Sequence, residues 1–285
     1  MTAFLLLKRD KKPVTKRTFL SKLHRNGLYC IIGSLVLLLG VPLYQLLVLI
    51  PSSYANALAT QSQALRWINT HSLHFLGYRV LLILGFALII SLPFTLFRII
   101  VAQEVLGQGE EQAQDDDEEE EKDQTAKSEP GGMPSFAWRG KGYAVLAAWA
   151  GLFGLLLFAA GTLASTLYLL GSAASINPQA SIPAGAAPLT GLFAILTFTA
   201  GGGLLAMSCL FFGAVIARSG LNLWPGVWVA YGYMALALAA LFSASAVEVA
   251  SAPGSGQGLL STPAILLFAL WVLWFGVMLV RLKPE

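Results

Sequence analysis

Residues 80–97 decide the fold class of this chain and read VLLILGFALIISLPFTLF. They form 18 consecutive residues without a charge, bounded by Arg79 and Arg98. A predominantly apolar helix of about 20 residues is long enough to cross the hydrocarbon core of a bilayer. Because the run is too long for a buried strand, it predicts a transmembrane helix with bounds of about Leu76–Ala102.

Five further segments of the same kind lie on either side of this one. Their approximate bounds are Gly27–Ile50, Tyr143–Leu170, Leu189–Ala217, Pro225–Val247 and Ala264–Val280. The composition agrees, since 56% of the 285 residues are hydrophobic and 12% are charged, against about 25% charged in soluble domains. The sequence therefore predicts an all-α, polytopic membrane protein with six transmembrane helices.

The uneven distribution of charge predicts the orientation of these helices. Residues 1–26 form a basic arm with eight Lys or Arg residues and one acid. Arg98, Arg218 and Arg281 lie where the second, fourth and sixth spans end. Cytoplasmic ends of spans carry an excess of Lys and Arg. We therefore expect both termini in the cytoplasm, an N-in, C-in topology.

Residues 104–142 hold most of the acidic residues, with 12 acids, 4 bases and a net charge of −8. A run such as DDDEEEE repels itself and stays solvated. We expect a disordered cytoplasmic loop that joins two membrane units. The first is a transmembrane hairpin at 27–103 with an extracytoplasmic loop at 51–75, and the second is a four-helix unit at 143–285.

The ends of the second, fourth and sixth spans resemble one another and read FRIIVAQ, GAVIARS and GVMLVRL. An arrangement of three helical hairpins would explain this similarity. The positive-inside rule explains it as well, because it places an arginine after any inward-running apolar helix. Both explanations stay open at this point.

Ionisable side chains are absent from the central third of every predicted span. Ion-coupled transporters and proton pumps usually keep such a group there, because it is costly and retained for use. Ser91, Thr199 and Ser208 lie in spans without an accompanying base, so nucleophilic catalysis is not expected. We expect these hydroxyls to bond to the backbone of their own helices. The sequence predicts a protein without enzymatic activity and without a cofactor.

Three consecutive glycines, Gly201, Gly202 and Gly203, lie near the middle of the fourth predicted span. Each costs a helix about 1 kcal/mol relative to alanine, and transporter helices are often interrupted by glycine at this depth. The alternative is a close helix crossing, which needs small residues. Pro42 and Pro93 each remove a backbone donor and predict kinks. These five residues are the candidates for a hinge or a pathway.

His71, His74 and Glu248 are the candidates for a metal or proton site. The two histidines are three residues apart, so they share a face if that stretch is helical. Glu248 is the one acid at the extracytoplasmic ends of the spans. Imidazole and carboxylate groups bind transition metals. The alternative is that these are ordinary interfacial residues.

We expect packing roles for two cysteines and for two tryptophans that lie in the middle of a span. Cys30 and Cys209 are too few for a disulfide framework in a chain of this length. Trp271 and Trp274 lie too deep for the interfacial aromatic belt. We expect them to pack against neighbouring helices, with an apolar ligand groove as the alternative.

Two functions agree with this pattern. The first is a non-enzymatic subunit or scaffold of a membrane complex, and the second is a carrier or channel for a neutral or apolar small solute. The expected partners are the bilayer, anionic lipid at the basic arm, and membrane proteins or a second copy of the chain. Nucleic acid is not expected, because the arm lacks interleaved aromatic residues. Without an organellar transit pattern, the expected location is a bacterial inner membrane.

Overall fold

The computed structural model describes residues 16–54, 61–102, 135–175, 186–253 and 258–281, and the regular structure within them is helical throughout. Six helical segments are long and apolar enough to cross a membrane. Their bounds are Ser21–Leu49, Ser72–Ala102, Gly142–Ala174, Thr190–Gly220, Gly226–Ser251 and Ser261–Arg281, numbered here spans 1 to 6. The predicted all-α class and the six helices of transmembrane length are confirmed, and they indicate an integral membrane protein.

Contacts at the two ends of the bundle define its two faces. At one end Asn26, near the start of span 1, donates from Nδ2 to Thr95 Oγ1 near the end of span 2, at 3.0 Å. Gly27 lies there against Gly276, near the end of span 6. At the other end Leu49, the last residue of span 1, packs with the start of span 2. We call the end with Gly27 the proximal face and the end with Leu49 the distal face.

The six spans form a closed ring, in which each span packs against the next and span 6 packs against span 1. Glycine lies at many of these contacts and lets the backbones approach closely. A methyl group added to Gly213 of span 4 would lie 2.8 Å from the carbonyl oxygen of Gly232 in span 5. A methyl group added to Gly33 of span 1 would likewise lie close to the carbonyl oxygen of Gly85 in span 2.

Close contacts occur both within and between the three expected hairpins. The hairpin arrangement therefore stays a prediction, as does the division into units at 27–103 and 143–285. The basic arm before residue 16 and the acidic stretch at 103–134 lie outside the described residues. The helix of span 3 begins at Ser135, so the final residues of the expected loop at 104–142 are helical. Those residues contain no acid and no proline, and their two glycines weaken a helix without ending it.

Pro42 is accommodated without a break in span 1. The α-helix Lys16–Leu35 is followed by π-helical turns at Val36–Gly40 and Gln45–Leu49, with the short helix Val41–Tyr44 between them. Proline has no N–H, so one carbonyl in the preceding turn loses its usual donor. The wider turns, whose N–H groups bond five residues back, spread this adjustment along the span.

Pro93 follows a true interruption of span 2. The helix Ser72–Leu88 ends in a turn at 89–91, and helix resumes at 92–102. The proline ring cannot fit behind a regular preceding turn, so the backbone leaves α geometry just before it. Pro93 is buried, and a methyl group added to Gly151 of span 3 would lie 2.9 Å from its Cγ. The interruption is thus packed directly against span 3.

Span 4 is a continuous helix through its three glycines. It comprises the α-helix Ala186–Ala194, a π-helical segment at Ile195–Gly201 and the helix Gly202–Leu223. Gly201 and Gly202 both have ordinary helical backbone angles, with φ near −63° and −62°. Gly220, with φ +55°, adopts a conformation that favours glycine and kinks the chain before span 5.

A short helix, Gln61–Thr70, covers the distal ends of spans 1, 2 and 3. Trp67 on this helix packs against the bundle. Its side chain is 7% exposed, and its Nε1 donates to the carbonyl oxygen of Ser52 at 2.6 Å. The apolar face of the helix packs against the spans, and Trp67 lies on that face.

Candidate functional site

Aromatic rings fill the middle of the bundle around Phe158 of span 3. The Phe158 ring centroid lies 5.1 Å from that of Phe86 in span 2 and 5.7 Å from that of Phe198 in span 4. Phe242 of span 5 lies 6.5 Å away and contacts Phe268 of span 6 at 5.7 Å. Five of the six spans therefore contribute a ring to this aromatic centre.

The three candidate glycines of span 4 lie beside the aromatic centre in different surroundings. A Cβ added at Gly201 would lie 3.1 Å from Phe158 Cδ2. One added at Gly202 would meet Phe242 at 3.9 Å, and one at Gly203 would have no heavy atom of the described residues within 4 Å. Close packing therefore accounts for Gly201 alone. A hinge or pathway at Gly201–Gly203, Pro42 or Pro93 stays a prediction.

Uncharged polar side chains lie in the proximal half of the interior. Ser34 Oγ donates to the Cys30 carbonyl oxygen at 2.5 Å, and Thr95 Oγ1 donates to the Ser91 carbonyl oxygen at 2.8 Å. These bonds lie within one helix, as expected for hydroxyls in spans. Asn26 adds a bond from span 1 to span 2 through the Thr95 hydroxyl.

Two hydroxyls in this region are buried and have no hydrogen-bond partner among the described residues, Ser91 Oγ and Tyr231 OH. The Tyr231 ring is stacked on Trp271 with 4.6 Å between centroids. Because an unsatisfied buried hydroxyl costs about 1–3 kcal/mol, these are the positions where a water or a small polar solute would gain most by binding.

Thr199 corrects the expectation that span hydroxyls bond to their own helices. Its Oγ1 donates at 3.2 Å to the carbonyl oxygen of Ala246 in span 5. Thr199 lies in the π-helical segment of span 4, and its acceptor lies on the neighbouring helix of span 5. Ser245 and Ser261 likewise join spans 5 and 6 through a bond of 2.8 Å between their hydroxyls.

The two candidate histidines lie together at the distal face. His71 is in the turn between the short helix and span 2, and His74 is in the first turn of span 2. Their ring centroids are 5.6 Å apart, and His71 also stacks on Trp67 at 5.0 Å. The Nδ1 atom of His71 lies 2.8 Å from Thr70 Oγ1. The histidines thus extend an aromatic stack.

Glu248 is occupied elsewhere at the distal face. Its Oε1 accepts from the backbone N–H of Leu259 at 2.7 Å, and its Oε2 accepts from that of Leu260 at 2.9 Å. The carboxylate therefore orders the turn that precedes span 6. Within the described ranges, no three His, Cys, Asp or Glu side chains are grouped so that they could hold a metal ion.

The packing roles expected for the cysteines and tryptophans agree with their surroundings. Cys30 and Cys209 are free thiols in the hydrophobic core. Trp271 is 1% exposed and donates from Nε1 to the Tyr231 carbonyl oxygen at 3.2 Å. Trp274 meets the Tyr231 ring edge-on, with 6.1 Å between centroids.

Tyr231 itself is not a candidate on sequence grounds. It stands in the segment AYGY, near the proximal end of span 5, where an interfacial tyrosine is ordinary. Tyr233 in the same segment is 60% exposed, whereas Tyr231 is fully buried. Only the direction in which each side chain faces separates the two residues.

Comparisons of this chain with protein-family models, with curated proteins and with solved structures find no match. The function is therefore inferred from the residues of the chain itself.

Proposed function

We propose that this protein is a non-enzymatic subunit or scaffold of a membrane complex in a bacterial inner membrane, with both termini in the cytoplasm. The observation that carries the proposal is the aromatic centre, in which Phe158 touches rings from spans 2, 4 and 5. A solute crossing the bundle would have to part these rings. A subunit does not need a path through its interior. It needs a closed bundle whose outer surface contacts partners.

The chemistry of the interior supports the same proposal. Among the described residues, the buried side chains are apolar or carry a hydroxyl or a thiol, and none is Asp, Glu, Lys, Arg or His. Ion-coupled transport normally depends on such a group within the membrane. The glycine crossings hold the spans together through close backbone contact, which is a main source of helix association in lipid.

The charges at the proximal face support the N-in, C-in orientation. Arg98, Arg218 and Arg281 are exposed where spans 2, 4 and 6 end, and Lys22 and Arg25 are exposed near the start of span 1. This excess of cations matches the cytoplasmic side of membrane proteins. The basic arm at 1–26 and the acidic segment at 104–142 then lie on that side, where they contact partners or, in the case of the arm, anionic lipid.

The test is the mass of the full-length chain after extraction from its native membrane in mild detergent. We expect a stoichiometric assembly larger than the 30.4 kDa chain. Replacing Lys8, Lys11 and Lys12 by Gln should weaken that assembly at low salt, because the arm supplies electrostatic contacts. The control is Arg66→Gln, which removes a cation from the distal face. A monomer under all conditions would overturn the proposal.

The second candidate is a carrier or channel for a neutral or apolar small solute. It is favoured by the interruption of span 2 at 89–91, next to the buried Pro93 and to the Ser91 hydroxyl, which has no partner within the described ranges. Osmotic swelling of proteoliposomes in glycerol or urea separates the two candidates. The subunit proposal expects swelling no faster than in protein-free vesicles. Faster swelling that Ser91→Val abolishes would favour the carrier.

A further inference from the structure

Arg79 is a partly buried cation close to the distal face. It lies on the helix Ser72–Leu88, about two turns from its start. Its guanidinium carbon lies 5.1 Å from the Phe75 ring centroid and 5.9 Å from that of Tyr78. Its Nε is buried and has no hydrogen-bond partner among the described residues. Burial raises the pKa of Tyr54 and the charge of Arg79 opposes that rise, so this phenol also lies in the field of the guanidinium.

Among the described residues, no carboxylate is placed to balance this charge. Glu248 is the single carboxylate within the described residues, and both of its oxygens are engaged by backbone N–H groups. The distal connections at 50–71, 175–189 and 252–260 contain neither Asp nor Glu. The remaining acids belong to the two termini and to the acidic segment, which join the spans at the proximal face. The described part of the chain therefore offers Arg79 no counter-ion.

The surroundings of Arg79 identify the chemistry of a fitting counter-ion. A guanidinium pairs with phosphate through two parallel hydrogen bonds, and aromatic residues concentrate at headgroup level in membranes. Val80 and Leu84 lie on the same helix, beside Arg79 and about one turn deeper in the membrane, and they are 50% and 46% exposed. The two residues are four positions apart and thus share one side of the helix. Because acyl chains extend from the phosphate towards the bilayer centre, an acyl chain lying along Val80 and Leu84 would place its phosphate near the guanidinium.

We propose that Arg79, framed by Phe75 and Tyr78, binds the phosphate of an anionic phospholipid in the leaflet at the distal face. The site is separate from the basic arm, which lies at the other face. The inference requires only that the spans cross a bilayer, and it is independent of the subunit role.

The test uses the full-length chain, delipidated in a neutral detergent and supplied with phosphatidylglycerol. Native mass spectrometry counts the lipids retained, and hydrogen exchange follows the backbone amides at 72–80. We expect the lipid to slow this exchange. Arg79→Gln should bind about tenfold more weakly and retain one lipid fewer, which is the effect of losing a charge-assisted hydrogen bond. The basic arm is present in both the wild type and Arg79→Gln, so it contributes equally to the lipid that each protein retains.

The matched control is Arg66→Gln, an exposed arginine of the short distal helix, which should bind as the wild type does. Arg79→Lys keeps the charge without the planar fork and should weaken binding less than Arg79→Gln. Equal retention by Arg79→Gln and the wild type would overturn the proposal. Protection by inorganic phosphate alone would identify a soluble anion instead, and equal protection by neutral diacylglycerol would identify apolar contact. Either of these two results, obtained with the wild-type protein alone, would overturn the proposal.

Discussion

Gly27 in span 1 and Gly276 in span 6 lie backbone to backbone near the proximal face. A Cβ added at Gly27 would lie 3.1 Å from the Gly276 carbonyl oxygen, and one added at Gly276 would lie 2.8 Å from the Gly27 carbonyl oxygen. No side chain larger than hydrogen fits between these backbones without a shift. The ring of six helices is closed at this crossing, which joins residues 249 positions apart in the chain.

Replacing Gly276 by alanine should therefore destabilise the protein. Overpacking a close contact costs about 1–3 kcal/mol, which unfolding in mixed micelles measures. The matched control is Gly203→Ala, where the added methyl group meets no described atom within 4 Å. That variant should gain roughly 0.5–1 kcal/mol, because alanine favours helix over glycine. Equal stability of the two variants would contradict the crossing.

Removing the Tyr231 hydroxyl should stabilise the protein. The hydroxyl is buried without a partner among the described residues, so Tyr231→Phe removes a desolvation cost of about 1 kcal/mol. Tyr233→Phe, at an exposed position of the same helix, should change little. A clear loss of stability in Tyr231→Phe would mean that the hydroxyl holds a water or a solute, and it would strengthen the carrier alternative.

Replacing Glu248 by alanine should loosen the turn before span 6. The amides of Leu259 and Leu260 lose their acceptors, at a cost of about 1–2 kcal/mol at this partly exposed site. Hydrogen exchange at 259–262 should accelerate. Glu248→Gln keeps one acceptor oxygen and should show a smaller change. Unaltered exchange in both variants would show that the carboxylate does not order the turn.

Thiol labelling of intact cells should report the orientation directly. The native thiols of Cys30 and Cys209 are buried, so a membrane-impermeant maleimide should leave the wild type unlabelled until it is denatured. Asn69→Cys at the distal face should react from outside, and Lys22→Cys at the proximal face should react only after the membrane is opened. Both positions are exposed. The reverse pattern would refute the N-in, C-in proposal.

The six helices and the effect of Pro93 follow from short stretches of sequence. In a bilayer, backbone groups must be bonded within the segment, so a long apolar run has one available structure, the helix. Pro93 lacks an N–H group wherever it is placed, so a disturbance of the helix just before it is expected from the sequence. Pro42 has the same deficit, yet span 1 absorbs it in two π-helical turns, and this choice between a break and a widened turn is not visible in the residues themselves.

The sequence by itself thus determined the number, length and chemistry of the spans, because those depend on the apolar content of each segment. Only the tertiary structure decided that Gly201 lies against Phe158, while a Cβ at Gly203 would meet no described atom within 4 Å. It also decided that Tyr231 is buried while Tyr233 is exposed. It also showed that the Glu248 carboxylate accepts hydrogen bonds from the N–H groups of Leu259 and Leu260. The physical reason is the same in each case. The role of a residue within a span depends on which neighbouring helix its face meets and at what depth, and those contacts join positions far apart in the chain.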